Sequence, residues 1–239
     1  MSNNVREIVI VGGGAAGWLT AGTIAAGHNA GDETGISVTL IESPDVPTIG
    51  VGEGTWPTMR RTLGRLGISE TEFIRQCDAS FKQGTRFDGW HTGATADRYY
   101  HPFSLPLGYT TTSLIPNWQA HRRAISFADA LSVQSHICER GLAPKQSGTP
   151  EYAAVVNYGY HLDAGKFSQM LQKHCTEVLG VRHILDHVTG INAADNGDIV
   201  SLDSKQHGVI EGDLFVDCTG FASLLLGKHY GVPLSLIHI

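Results

Sequence analysis

The stretch Ile8-Val-Ile-Val-Gly-Gly-Gly-Ala-Ala-Gly17 decides the fold. Four β-branched residues, Ile8 to Val11, read as a short buried strand. The chain then breaks on glycine and continues through Ala15 to Ala26, which is helical in composition. Gly12, Gly14 and Gly17 satisfy G-x-G-x-x-G between a strand and a helix, the placement a dinucleotide site requires, with Ala15 and Ala16 in the first helical turn. In such a turn the first glycine bends the chain, the second admits a pyrophosphate to the backbone, and the third lets the helix pack closely on the strand. The pyrophosphate sits on the unpaired N–H groups at the helix start. A second strand, Ile36 to Glu42, ends in an acid 25 residues beyond Gly17, near the spacing of a carboxylate that binds a ribose hydroxyl.

Composition narrows the class. The 239 residues are 41% hydrophobic and 17% charged, which fits a globular protein with a core of its own. A net charge of −6 argues against nucleic acid or an anionic membrane surface as partner. No apolar run approaches the roughly eighteen residues of a membrane helix, and the glycine-broken N-terminal run is a strand rather than a signal peptide. The four cysteines form no C-x-x-C pair and read as reduced thiols of a cytoplasmic protein. The twelve histidines show no recognised ligand spacing, so no metal site is expected.

Downstream, Pro44 to Pro57 is too glycine-rich for a strand and too apolar for a disordered linker. It reads as an ordered loop in which backbone closely approaches something. Thr55 is placed to cap the next helix, with Pro57 in its first turn. Ser69 and Glu72 form a capping box that opens a helix to about Ala79. Phe81 to Trp90 reads as one partly buried strand, with Phe81, Thr85 and Phe87 on one face and Lys82, Gly84, Arg86 and Asp88 on the other. Residues 91–113 lack helical period, Asn117 to Arg140 reads as a helix, and 141–160 are irregular. Asp163 caps a helix from Ala164 to Leu179. Strand-like pieces follow at Arg182–Val188, Ile199–Leu202 and Asp213–Cys218, with a hairpin signal at Asn196-Gly197. The expected fold is α/β: nucleotide-binding segments at about 1–43 and 161–233, interrupted by an insertion at about 44–160. A late strand returning to the nucleotide domain is expected of large flavoproteins rather than of a simple NAD dehydrogenase.

Four stretches carry a family likeness: Gly12-Gly-Gly-Ala-Ala-Gly-Trp18, Ile49-Gly-Val-Gly-Glu-Gly-Thr55, Phe81-Lys82 and Asp217-Cys-Thr-Gly220. With them the chain resembles the flavin-dependent tryptophan halogenases. The resemblance implies FAD in a Rossmann-like domain of the flavin monooxygenase type. It also implies that FADH2, oxygen and a halide ion yield hypohalous acid, which passes to a lysine beside an aromatic substrate, tryptophan or another indole. Lys82 matches that lysine. His101 and Phe103 match a segment that sandwiches the indole. Gly50, Val51, Gly52 and Glu53 match the strap that touches the flavin, Glu42, Ser43 and Val188 match adenosine-side positions, and Asp217 and Gly220 match the late flavin turn.

The single fingerprint leaves no second site for a nicotinamide, so reduced flavin is expected from a separate NAD(P)H flavin reductase. The family's W-x-W-x-I-P signature and partner glutamate are absent from these 239 residues. Leu234–Ile239 has no family counterpart and matches the translation of a sequencing-library adapter. The expectation is therefore an N-terminal fragment, residues 1–233, with a non-native tail at 234–239 and no activity of its own. Two other readings are a flavin monooxygenase that hydroxylates its substrate, and an inactive FAD-binding module.

Overall fold

The computed structural model describes residues 5–28, 35–46 and 52–233. Gly50 and Val51 of the strap and the 234–239 tail lie outside the described residues. In chain order the elements are β1 (Glu7–Val11), α1 (Ala15–Gly27), β2 (Ser37–Glu42), β3 (Gly52–Gly54), α2 (Thr58–Arg65), α3 (Glu70–Gln76), β4 (Ser80–Lys82), β5 (Gly84–Asp88), β6 (Arg98–Pro102), α4 (Ile115–Gln119), α5 (Phe127–Leu131) and α6 (Gln134–Glu139). There follow β7 (Gly159–Asp163), α7 (Ala164–Glu177), β8 (Arg182–Leu185), β9 (Val188–Ala193), β10 (Ile199–Ser204), β11 (Gly208–Glu211) and β12 (Leu214–Asp217). The chain divides into two compact units, one of residues 1–51, 65–68 and 163–239, the other of 52–64 and 69–162.

The first unit is built on a parallel sheet of order β12-β1-β2-β8. β1 lies between β2 and β12, with Ile8 opposite both Val38 and Leu214. This central position explains the unbroken apolar run, since a strand covered on both faces has no polar side to show. The carboxylate of Asp213 accepts from the N–H groups of Arg6 and Glu7 at 2.8 and 2.9 Å, which ties the returning strand to the start of the first. Helix α1 packs on α7: Cys175 Sγ lies 3.5 Å from the Trp18 carbonyl oxygen, and a Cβ on Gly22 would meet the same sulfur at 2.9 Å. Strands β9, β10 and β11 form an antiparallel meander, and its residues Leu202 and Ile210 share a buried cluster with Val9, Val11, Ile41 and Ile184. The Asn196-Gly197 turn joins β9 to β10, with Gly197 at φ +90°. Asp163 caps α7 by accepting from the Lys166 N–H at 2.9 Å.

The second unit holds a small sheet of order β3-β7-β4 and a two-stranded sheet of β5 and β6. Here four expectations are corrected. Phe81 to Trp90 is not one strand: β4 pairs with β7 and β5 with β6. The break falls at Gly84, whose φ is +150° and whose Cβ would lie 2.5 Å from the His101 carbonyl oxygen. Lys82 therefore shares no strand face with Arg86 and Asp88. Asn117 to Arg140 is not one helix but part of three short ones, α4, α5 and α6. Ser126 caps α5 by accepting from the Asp129 N–H, and Ser132 is extended at φ −138°, ψ 135°. Serine hydroxyls that satisfy local backbone groups compete with a continuous helix. Residues 141–160 end not in irregular chain but in β7, the middle strand of the small sheet. Thr55 is not a helix cap: its hydroxyl oxygen accepts from the Tyr160 N–H at 2.9 Å, its own N–H donates to the Tyr160 carbonyl at 2.8 Å, and α2 starts only at Thr58. Ser69 does cap α3, accepting from the Glu72 N–H at 3.4 Å while donating to Glu151 at 2.8 Å.

Candidate active site

The glycine turn of the first unit is defined by close backbone approaches. Gly12 has φ +112°, and a Cβ there would lie 2.3 Å from the Cys218 carbonyl oxygen. A Cβ on Gly17 would lie 1.9 Å from the Gly12 carbonyl oxygen, so only glycine lets the helix sit this close to its own turn. Gly14 differs: nothing lies within 4 Å of a Cβ built on it. It is the N-cap of α1, and no side chain caps the helix. The start of α1, next to Ala15 and Ala16, is thus uncapped by any side chain and open at Gly14.

Glu42 closes one side of this turn. Its carboxylate lies against Gly13, where a Cβ would clash with it at 1.4 Å. His183 Nε2 lies 2.7 Å from Glu42 Oε1, and His183 Nδ1 lies 3.3 Å from Gln172 Nε2. An amide nitrogen only donates, so Nδ1 is the acceptor and the ring hydrogen sits on Nε2, which lies close to Glu42 without hydrogen-bond geometry. Ser43 Oγ lies 3.2 Å from His187 Nδ1, and the other nitrogen of that ring is 3.1 Å from Asp45. Val188 opens β9 and is half-buried on the unit's core. Asp217 is committed to the protein itself. It accepts from the hydroxyl and N–H of Thr219 and from the N–H groups of Leu225 and Leu226. Burial alone would raise its pKa, but these donors outweigh burial and hold it below the ordinary carboxylate value. Gly220 follows at φ +59°.

In the second unit Lys82 ends β4. Its Nζ is 5.6 Å from the Phe103 ring centroid and 5.9 Å from that of Trp56, and the two rings lie 5.5 Å apart. An ammonium at this range is attracted by the negative ring faces. Phe103 is buried, at 8% exposure, whereas Trp56 is 62% exposed, so the lysine bridges core and surface. A Cβ on Gly54 would lie 3.0 Å from Lys82 Nζ and 3.4 Å from His161 Nδ1. The His161 pKa is lowered, first by partial burial of the ring and then by the Lys82 charge. Phe103 is thus brought to Lys82, but His101 is not. It is exposed in β6, opposite Thr85, and its ring makes no hydrogen bond or ring contact among the described residues. Gly52 and Glu53 are exposed in β3. Trp56 and His161 were not anticipated from sequence. Trp56 lies in the Gly-Thr-Trp-Pro turn, and His161 lies in the alternation Tyr158, Tyr160, Leu162 against Gly159, His161, Asp163, which was the available signal.

The other face of this sheet is core. Tyr158 and Tyr160 are both fully buried, and their hydroxyls donate to Glu70, that of Tyr160 at 2.7 Å. Glu70 also accepts from Lys145 Nζ at 2.7 Å and from the Tyr152 N–H at 2.8 Å. Burial would raise the Glu70 pKa, but these donors reverse the sign and the net shift is downward. No group of three or more metal-ligating side chains occurs among the described residues, and no helix there is long and apolar enough to cross a membrane.

Against known proteins, the match is to a single family description, tryptophan halogenase, over residues 7–235. The chain is 33% identical over 249 residues to tryptophan 7-halogenase RebH of Lentzea aerocolonigenes, covering 98% of this chain and 46% of that protein. A crystal structure of a tryptophan halogenase from Shewanella frigidimarina NCIMB 400 superposes with a TM-score of 0.92 at 54% identity, covering 98% of this chain and 46% of that one. BrvH, a flavin-dependent halogenase from Brevundimonas sp. BAL3, superposes with a TM-score of 0.80 at 31% identity, covering 97% and 46%. The chain spans about half the length of these relatives. With a match that runs almost from end to end of the described residues, this chain belongs to the tryptophan halogenase family.

Proposed function

We propose that this chain is part of an FADH2-dependent halogenase that brominates or chlorinates tryptophan or another indole, with Lys82 as the group that delivers the halogen. The observation that carries the reading is the placement of the Lys82 ammonium within cation–π range of both the Phe103 and Trp56 rings, in a chain of this family. The nucleotide-binding segments are 1–43 and 161–233, and 44–160 is the insertion that carries Lys82.

The first unit fits FAD. The free space over Gly14 and the uncapped start of α1 suit a pyrophosphate. Ala15 and Ala16 offer backbone N–H groups, Glu42 and Ser43 offer oxygen atoms to the adenosine side, and Val188, Gly220 and the strap at Gly52 and Glu53 supply backbone. Asp217 acts by holding the late turn in place. When bound, the reduced flavin would activate oxygen, and oxygen supplies the oxidising equivalents that turn halide into hypohalous acid. Lys82 Nζ donates a hydrogen bond to the oxygen of that acid and keeps the halogen at one position. Phe103 and Trp56 flank the ammonium, and the buried Phe103 ring covers part of it. Phe103 offers a ring edge for a flat aromatic substrate, and His101 contributes only through a rearrangement of β6. Electrons come from a separate NAD(P)H flavin reductase. The setting is cytoplasmic, where the cysteines, none of which forms a disulfide, stay reduced.

The test uses the full-length protein with a flavin reductase, NADH, FAD and tryptophan or indole, with and without bromide. A brominated product that appears only with bromide is expected. An oxygenated product formed equally without bromide would assign a hydroxylase instead. The protein alone should not consume NADH at a useful rate.

A further inference from the structure

Lys82 and His161 face one point from neighbouring strands. In the antiparallel register of β4 on β7, Lys82 stands opposite Gly159 and Ser80 opposite His161. The space over Gly159 is filled by the Thr55 carbonyl and the Trp56 backbone, and the Lys82 ammonium comes to Gly54 on β3, the far strand of the sheet. There a methyl group would meet Lys82 Nζ at 3.0 Å and, at 3.4 Å, His161 Nδ1. The two groups are chemically complementary: an ammonium only donates, whereas a neutral imidazole nitrogen can accept. The His161 ring has no hydrogen-bond partner among the described residues, and the residue itself is exposed.

We propose that His161 is the second hydrogen-bonding arm of the Lys82 site: over the bare backbone of Gly54, Lys82 Nζ donates to the oxygen of hypohalous acid and His161 Nδ1 accepts its O–H hydrogen. This rests on the reading of Lys82 given above. Held by both ends of its O–H, the acid turns its halogen away from the sheet and towards the arene. The aromatic carbon attacks the halogen, the carbon–halogen bond forms, and the halogen–oxygen bond breaks with its electron pair on oxygen. That oxygen takes a proton from the Lys82 ammonium and leaves as water. The ring proton of the arene departs to solvent, and Lys82 is reprotonated from solvent. His161 is unchanged but must be neutral, with its hydrogen on Nε2.

The lowered His161 pKa supports a neutral ring at neutral pH. Lys82 is the charged group that faces it from β4. β3 presents Gly54, flanked along the strand by Glu53, and the β7 acid Asp163 is engaged by the Lys166 N–H. Protonation of His161 fills Nδ1 and sets a second positive charge beside Lys82. Halogenation is therefore lost as pH falls through a value below the ordinary imidazole pKa.

The experiment compares wild-type full-length protein with His161→Phe, His161→Gln and Gly54→Ala, with FAD binding measured in each. His161→Phe should lower kcat for bromination roughly tenfold or more, the size of one hydrogen bond to a reacting group, with FAD binding retained. His161→Gln, whose amide oxygen can accept the same hydrogen, should recover part of the rate and lose the acid limb of the pH profile. Gly54→Ala places a methyl group in the shared space and should lose product as well. An unchanged rate and pH profile in His161→Phe, or an unaffected Gly54→Ala, overturns the assignment. An NMR titration of the His161 ring in wild type and Lys82→Met reads the pair without turnover, and the pKa should rise in the variant. No change there overturns it too. A wild-type protein that makes no halogenated product removes the hypohalous acid and this role with it. The titration tells that failure apart from a failure of His161 itself.

Discussion

The two units build their sites from different parts of the chain. In the first, the space over the glycine turn is shaped by backbone: the Gly12 bend, the Gly12–Gly17 approach and the uncapped helix start at Gly14. In the second, the site is a meeting of side chains, Lys82, Trp56, Phe103 and His161, brought from separate elements by antiparallel pairing. A backbone site tolerates wide variation in side chains but almost none in its glycines. A side-chain site has the opposite sensitivity, because its rings and charges act at their tips.

The largest effect should separate the two units cleanly. Gly14→Val in full-length protein should abolish FAD binding, because the side chain occupies space the structure leaves empty, while circular dichroism and thermal unfolding stay near wild type. Retained flavin in that variant would show that no pyrophosphate occupies the space over Gly14. Next, Lys82→Ala should cut halogenated product by about 10²–10⁴-fold, the range for loss of a positioned proton donor, while bound FADH2 is still oxidised. Wild-type product formation would remove Lys82 from the chemistry.

Glu70→Ala addresses what lies behind the side-chain site. It leaves Lys145, Tyr158 and Tyr160 without their shared acceptor, and should cost about 3–5 kcal/mol in unfolding free energy. Because the folded Glu70 pKa is depressed, its contribution is present above the ordinary carboxylate pKa of 4.5 and is lost as pH falls through the lower folded value. Urea midpoints of wild type and variant measured on descending pH should converge there. A constant gap would mean that Glu70 is not charged in the fold. Gly17→Ala forces a Cβ to within 1.9 Å of the Gly12 carbonyl oxygen and should cost about 1–3 kcal/mol. Equal stability would show that the turn can give way. Ser69→Ala removes the α3 cap and should lower stability by about 1 kcal/mol, seen as a small shift in unfolding midpoint.

Most of the first unit was legible in the sequence, except that the expected strand Arg182–Val188 divides into β8 and the start of β9, and β11 was not read. The strand–glycine–helix order, the second strand ending in Glu42, the Asp163 cap and the Asn196-Gly197 hairpin are local rules, each satisfied within a few residues. The returning strand at Asp213 was legible too, from its apolar Leu-Phe-Val run, although β12 is an edge strand and only half-buried. The second unit was read less well, and for one physical reason: its structure is decided by long-range partners. Whether Phe81 to Trp90 is one strand depends on the approach of the His101 carbonyl to Gly84. Whether Thr55 caps a helix or pairs with a strand depends on Tyr160, 105 residues away. The 117–140 segment has helical composition, yet serine hydroxyls at 126 and 132 divide it. Lys82 was found by its motif alone, and nothing local to it names its neighbours. Only the register of β4 on β7 sets Lys82 opposite Gly159 and brings His161 to the same sheet face, with both tips near Gly54. A one-residue slip would send that histidine to the core face among the tyrosines, because strand side chains alternate with a period of two.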